Sequence, residues 1–430
     1  MQDTFVNILS NTFIRYVLFA CYVAGVIITE PMYRVKLYES SLTSIVDIQT
    51  SFGESTCTFF EYISKLGSLE AYTLLITLVY NFLNIYKTFI LIMVLIFGTF
   101  VRNLLIMLYH QQRPYMDNDQ ILIFGCSTSF GNPSGHSIAA VSFFLSFWFV
   151  IFQCEEMKNK TSLKSYSLGF IILLIIAIIF SRIVVGAHSF NQILYGGLIG
   201  FAIFLLFFYV LQPELNKPDG LLWVISLPVS YFAIANFLIF IVCLILYYLI
   251  KVDVLQIWKD NIAKKCPDNV ENELYSTPGM LAISFCLSYI GVILGLKMEY
   301  SKILESKKQT FTLFNFEKNV TNPKQFTLLS AIHITDDSQW NHTGFTKSII
   351  RLVVFYGMSI IIYIPTSLIG NDSNMYVVMI FKMFLPATIW FFCLFFLFKV
   401  IFLKLNLLNP SSLPMESQSR INLANLINKV

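Results

Sequence analysis

The chain has 430 residues, of which 56% are hydrophobic and only 13% charged, with 42 Phe and a formal net charge of +4. Soluble domains carry about 25% charged residues, so this composition excludes a water-soluble fold. The dispersed positive charge, with no basic cluster interleaved with aromatics, excludes a nucleic-acid partner.

What is left is an integral membrane protein. It is expected to be all-α, because lipid forces every backbone amide to be satisfied within its own segment. About 20 apolar residues cross the hydrocarbon core. Runs of that kind fall at 12–29, 69–86, 88–109, 136–153, 166–185, 191–212, 221–250, 279–297, 348–369 and 376–398. They predict a polytopic transmembrane helix bundle of nine or ten spans. The first run is the open one: it reads as a span, a signal anchor or an interfacial helix, and only Asp3 precedes it, so it lacks a basic n-region. The second is interrupted by Asn81 and Asn84, and the seventh is long enough to tilt or to leave the membrane.

With ten spans, one face holds loops 30–68, 110–135, 186–190, 251–278 and 370–375, which carry 8 Lys+Arg against 13 Asp+Glu. The other face holds both termini with 87, 154–165, 213–220 and 297–347, and carries 16 Lys+Arg against 11 Asp+Glu. Excess Lys and Arg marks the cytoplasm, so both termini are expected there and the first set of loops in a lumen or outside. The eight cysteines form no CxxC pair and no zinc spacing. Cys57, Cys126 and Cys266 fall on the non-cytoplasmic face, and one disulfide among them is an open alternative.

Three polar stretches interrupt the apolar runs on that same face: "QQRPY" (111–115), "NPSGHS" (132–137) and "SRIVVGAHSFNQ" (181–192). They bring Arg113, Ser134, His136, Arg182 and His188 to one membrane surface. A charge at the depth of Arg182 is costly unless it is paired or used. Phosphoryl transfer suits this set. Two guanidinium groups fork onto phosphate oxygens, and the Ser134-Gly135 turn opens a helix whose N-terminus favours an anion. One histidine attacks phosphorus and the other protonates the leaving alkoxide. Gln192 stands one helical turn after His188, within reach of its second ring nitrogen.

"RP", "PSGH" and "SR" with a His six residues after the Arg resemble the three-part signature of the type 2 phosphatidic acid phosphatase superfamily. "QRPY", "SRIVVGAH" and "HSFNQILYGGLIG" resemble its glucose-6-phosphatase branch, which also has Gln four residues after the nucleophilic His. The resemblance covers roughly residues 98–200. It implies a six-helix phosphatase core, with His188 as nucleophile, His136 as general acid and then base, and Arg113, Ser134, Gly135 and Arg182 cradling phosphate. Gln192 orients His188. The resemblance implies no metal and no cofactor, a phosphorylated small molecule such as glucose 6-phosphate as substrate, and an endoplasmic-reticulum membrane with the site lumenal. It also raises a separate substrate transporter as a partner. By this reading 1–66 is an extra N-terminal helix with a lumenal segment and 67–212 the phosphatase core. Further helices fill 213–404, with a cytoplasmic cap at 297–347, and 405–430 is a flexible polar tail.

The sequence departs from the family pattern at two points. The family has Lys seven residues before the Arg of "RP", where this chain has Ile106. Arg102, one turn earlier, is expected to lean toward the helix N-terminus and away from the site. Met116-Asp117 stands after "RPY" in place of an aromatic pair. These departures keep open a lipid phosphate phosphatase and a catalytically silent scaffold or complex subunit. His333, His342 and Asp336-Asp337 carry no ligand spacing, and sequons stand at Asn159, Asn319, Asn341 and Asn371.

Overall fold

The computed structural model describes residues 12–82, 85–127, 129–152, 161–215, 224, 226–250, 252–266, 277–299, 343–370 and 373–408. The four sequons, His333, His342, Asp336-Asp337, nearly all of the 297–347 loop and most of the tail lie outside these residues. The elements that matter here are α1 Thr12–Lys65, α2 Leu69–Phe82, α3 Ile85–Tyr109 and the short α4 Pro114–Asp117. They are followed by α5 Gly135–Phe152, α6 Thr161–Val184, α7 Phe190–Leu211, α8 Val229–Leu249 and the short α9 Gln256–Lys265. Helices α10 Thr277–Glu299, α11 Phe345–Leu368 and α12 Met375–Lys404 complete the set. Among the described residues there is no strand, and nine of these helices are long and apolar enough to cross a membrane. The chain is an integral membrane protein with an all-α, polytopic architecture.

The helices differ from the hydropathy reading in three places. Residues 30–65, too polar to be read as membrane-spanning, continue α1 as helix. Polarity ends a hydropathy run but not a helix, and Pro31 is absorbed within it. The break comes at Gly53 (φ 71°, ψ 165°), a kink on either side of which Phe52 and Phe60 both meet Phe180, at ring-centroid distances of 6.4 and 5.5 Å. Second, α2 has only 14 residues, about 21 Å at about 1.5 Å per residue, short of the hydrocarbon thickness. Asn81, buried near its end, donates to Thr77 O (2.9 Å). Third, α8 starts after Pro228 and has 21 residues, a single membrane crossing instead of a 30-residue one.

Helix α5 packs against α7, α3 and α6, while α1 lies along α7 and α6. The pairings along α1 fix its direction. Arg15 donates to Tyr209 O (3.2 Å) near the end of α7, Tyr22 to Leu198 O (3.0 Å), and Ser41 Oγ accepts from Phe190 N–H (2.9 Å) at its start. The two helices are therefore antiparallel neighbours. Residues 12–65 are packed into the same bundle as the three motifs.

One end of the bundle gathers residues from 30–68, 110–135, 185–190 and 251–266. Gln49 Nε2 donates to Leu122 O (2.8 Å) and Val184 O (2.9 Å). Trp258 Nε1 donates to Asp117 Oδ1 (2.5 Å), Asn261 to Met116 O (2.8 Å), and Lys265 Nζ to Tyr115 O and Asn118 O (3.1 and 2.7 Å). Burial pulls the Lys265 ammonium down to about 8. Cys126 and Cys266 are disulfide-bonded across 140 residues of sequence, whereas Cys57 is a buried free thiol. The far end is stapled by Arg351, which is buried and donates to Asn81 O (2.5 Å), Thr343 Oγ1 (2.9 Å) and Leu407 O (2.8 Å).

Candidate active site

His188 lies in the tight turn 185–189 between α6 and α7. Its backbone N–H and that of Ala187 both donate to Arg182 O (3.2 and 3.1 Å), so the last turn of α6 sets the histidine's position. Its side chain is 2% exposed. Nδ1 is 3.0 Å from Gly131 O and 3.1 Å from Gln192 Oε1. That same Oε1 accepts from Ser189 N–H (3.3 Å), while Gln192 Nε2 donates to Gln112 O (2.8 Å), which fixes which way the amide faces. Both neighbours of Nδ1 are therefore acceptors. Nδ1 must carry the ring proton, and Nε2 is left with the lone pair.

Nε2 lies 3.3 Å from Arg113 Nη1, which donates toward it. Arg113 is 3% exposed and clamps two loops: Nε donates to Ser129 O (2.8 Å), Nη2 to Ser129 Oγ (3.1 Å) and Nη1 to Ala187 O (3.1 Å). Burial first, then Arg113, Arg182 and His136, hold the His188 imidazole well below its usual value. The sign is that of a base kept neutral. A group that resists protonation retains its lone pair as pH falls, so the acid limb of kcat/KM should lie below the ordinary imidazole value of about 6.5. The check is a pH profile divided by the substrate's own phosphate ionisation; a limb at or above 6.5 contradicts the assignment.

The turn 131–135 is pinned from three directions. Gly131 N–H donates to Gln111 O (2.8 Å) and Ser134 N–H to Gln192 O (3.0 Å). Asn132 Nδ2 donates to Glu30 Oε1 (3.0 Å); Glu30 is fully buried and accepts from Arg34 Nε at 2.8 Å. A Cβ at Gly131 would stand 2.5 Å from Gln192 Oε1, so only glycine lets the carbonyl and the amide reach His188 together. Ser134 Oγ accepts from Ser137 N–H (3.4 Å), capping the start of α5. Gly135 is the first residue of α5, and a Cβ there would stand 2.6 Å from Arg102 Cδ and 3.2 Å from its Cζ.

His136 is partly exposed on the first turn of α5, beside Gly67, where a Cβ would come within 3.0 Å of its Cδ2. Arg182 Nη1 donates to Ser64 Oγ. Most of the sequence-derived residues are thus linked around His188. His188, Arg113 and Gln192 are joined by hydrogen bonds, Ser134 is tied to Gln192, and His136 and Arg182 act electrostatically on His188.

The structure adds residues that the motifs did not name. Ser64 and Gly67, in the α1–α2 turn, lie beside Arg182 and His136, and nothing local in their sequence marks them. Gly131 had a visible signal in its place beside "NPSGH". Arg102 was legible as a charge inside an apolar helix, but the lean of helix side chains pointed it away. Its side chain instead rests on Gly135, where the missing Cβ leaves it room. Ile106 is 1% exposed in an apolar cluster with Ile45, Tyr115, Phe130 and Ile183.

Residues 87–215 match the family model of the PAP2 superfamily. Neither the curated proteins nor the solved structures contain a match to the chain. The PAP2 stretch holds all three motifs and every hydrogen bond just described from His188, Arg113 and Gln192. At the level of the family, this match implies phosphatase chemistry on a phosphorylated substrate.

Proposed function

We propose that the chain is a membrane-embedded phosphatase that hydrolyses a phosphomonoester through a phosphohistidine on His188. The observation that carries this is the pairing of His188 Nδ1 with two acceptors, which leaves the lone pair on Nε2, facing Arg113. Nε2 attacks phosphorus as the bond from phosphorus to the ester oxygen breaks. His136 gives its proton to the departing alkoxide, and the alcohol leaves. The substrate's phosphate charge offsets the arginines and lets His136 hold that proton until transfer. Water then attacks the phosphohistidine with His136 taking its proton, the P–N bond breaks, and orthophosphate leaves with Nε2 regenerated. Arg113, Arg182 and the N-terminus of α5 stabilise the charge that builds on the phosphoryl oxygens.

Glucose 6-phosphate heads the candidate substrates, on Gln192 and the motifs around it. A lipid phosphate is the second reading, favoured by an apolar cavity of about 260 Å³ lined by Leu69, Thr73, Leu95, Phe355, Trp390 and Phe391. Leu95 also lines a separate cavity of about 30 Å³ that reaches Arg102 and Gly135, and the apolar lining of the larger one suits a hydrocarbon tail. The charge bias of the loops and the Cys126–Cys266 disulfide support a lumenal or exterior site. The test is phosphate release by the purified full-length chain in detergent, from glucose 6-phosphate and from phosphatidic acid. A tenfold preference for either assigns the substrate class. No release from either by folded protein overturns the enzyme and leaves the silent scaffold.

A further inference from the structure

Arg102 sits within an apolar helix, four residues before Ile106. Its Nη1 donates to Asn103 Oδ1 (2.9 Å), but Nε is buried with no hydrogen-bond partner. Arg182 Nε is in the same condition. Arg102 acts electrostatically on both His136 and Arg182, and Arg113 acts on all three. Among the described residues no ion pair joins Arg102, Arg113 or Arg182 to a carboxylate. Glu30 is taken by Arg34 and Asn132, and Asp117 by Tyr38, Gln112 and Trp258. Among the described residues, three guanidinium groups and a helix N-terminus therefore act on one another with no carboxylate paired to them. Buried like charges are expensive unless an anion joins them. The small cavity against Arg102, lined also by Thr99, Gly135 and Ser142, has room for a water or an oxyanion oxygen.

We infer that Arg102 is a third phosphate-binding cation of this site, taking the place of the family lysine whose position is held by Ile106. The inference rests on the phosphatase reading and extends it. It also accounts for Ile106. The segment of α1 around Ile45 packs with Phe130 and Ile183 over that position and fills it with hydrocarbon. One turn earlier, α3 faces Gly135, and the long guanidinium chain reaches the helix N-terminus from there.

The test uses the purified full-length chain in detergent, with inorganic phosphate as the probe, read by calorimetry and by thermal stabilisation. Arg102→Met replaces a buried charge by an apolar chain of similar length, a change that membrane helices tolerate. It should melt like the wild type without phosphate, bind phosphate at least tenfold more weakly and lose about 10²–10³ in kcat/KM. Arg102→Lys keeps the charge without the fork and should fall between the two. His188→Ala should keep phosphate affinity within threefold while losing turnover. An Arg102→Met protein that binds phosphate and turns over within twofold of wild type overturns the inference and leaves the phosphatase reading standing. If Arg102→Met does not fold, the neutral Arg102→Gln decides: affinity equal to wild type assigns Arg102 a packing role only. Persistent turnover by His188→Ala removes the phosphohistidine reading, whatever the phosphate affinities show.

Discussion

His188→Ala should release no phosphate above the uncatalysed background while melting close to the wild type. The structure separates these two effects. The imidazole accepts from Arg113 and donates to Gly131 O and Gln192 Oε1, but Gln192 keeps its bond to Gln112 O and Arg113 keeps Ser129 and Ala187 when the ring is gone. The loss of a nucleophile removes the reaction path itself, typically the largest single effect in such a site. Gln192→Leu is the graded companion. It leaves Nδ1 with Gly131 O, so the tautomer survives, but the ring loses one of its two anchors. A fall of about 10- to 100-fold in kcat with KM nearly unchanged is expected, since in the proposed mechanism the Gln acts through His188 and not on the substrate. A phosphohistidine trapped by acid quench with labelled substrate should appear in the wild type and vanish in His188→Ala. Label that persists in His188→Ala would place the covalent step elsewhere.

The parts of this molecule that were legible from sequence are those set by local rules. Apolar runs of membrane length mark α3, α5, α6 and α7, because burial in lipid acts on every residue of a span. The motif contacts were legible because they join residues at short, fixed offsets: His188 to Gln192 is one helical turn, and Ser134 to Ser137 is one N-cap. What was not legible depends on distant pairings. Residues 30–65 read as a loop because their polarity breaks the hydropathy run, yet Glu30, Ser41, Gln49 and Ser64 are buried by α7, by the 131–135 turn and by Arg182. Their polarity is matched across the interface, which a single chain segment cannot reveal. Arg102 illustrates the same limit from the other side. The average lean of helix side chains is a statement about Cβ directions. A long guanidinium chain facing a glycine at a helix start goes where the neighbouring helix leaves space.

Arg113→Met should both abolish turnover and lower the melting midpoint, and this pairing distinguishes Arg113 from Arg102. Arg113 lies at the mouth of α3 and holds the 129–130 segment and the 187–188 turn in one fork. Removing it leaves Ser129 O and Ala187 O, both in buried residues, without that donor, at about 1–3 kcal/mol each. It also frees His188 Nε2 from the one group that sets its approach. Arg113→Lys can satisfy one of these acceptors at a time, because an ammonium is a point donor and not a planar fork. A fall of about 10²–10³ in kcat/KM is expected for it, with a smaller loss of stability than for Met. Ser129→Ala removes only the Nη2 contact to the hydroxyl and should cost far less, leaving the backbone carbonyl to hold Nε. The measurement is a melting curve and a rate on each of the three variants in the same detergent. If Arg113→Met melts like wild type, the guanidinium does not clamp the loops. If it keeps more than a tenth of the rate, phosphate is held elsewhere, and the arrangement of His188 against Arg113 would belong to the resting site alone.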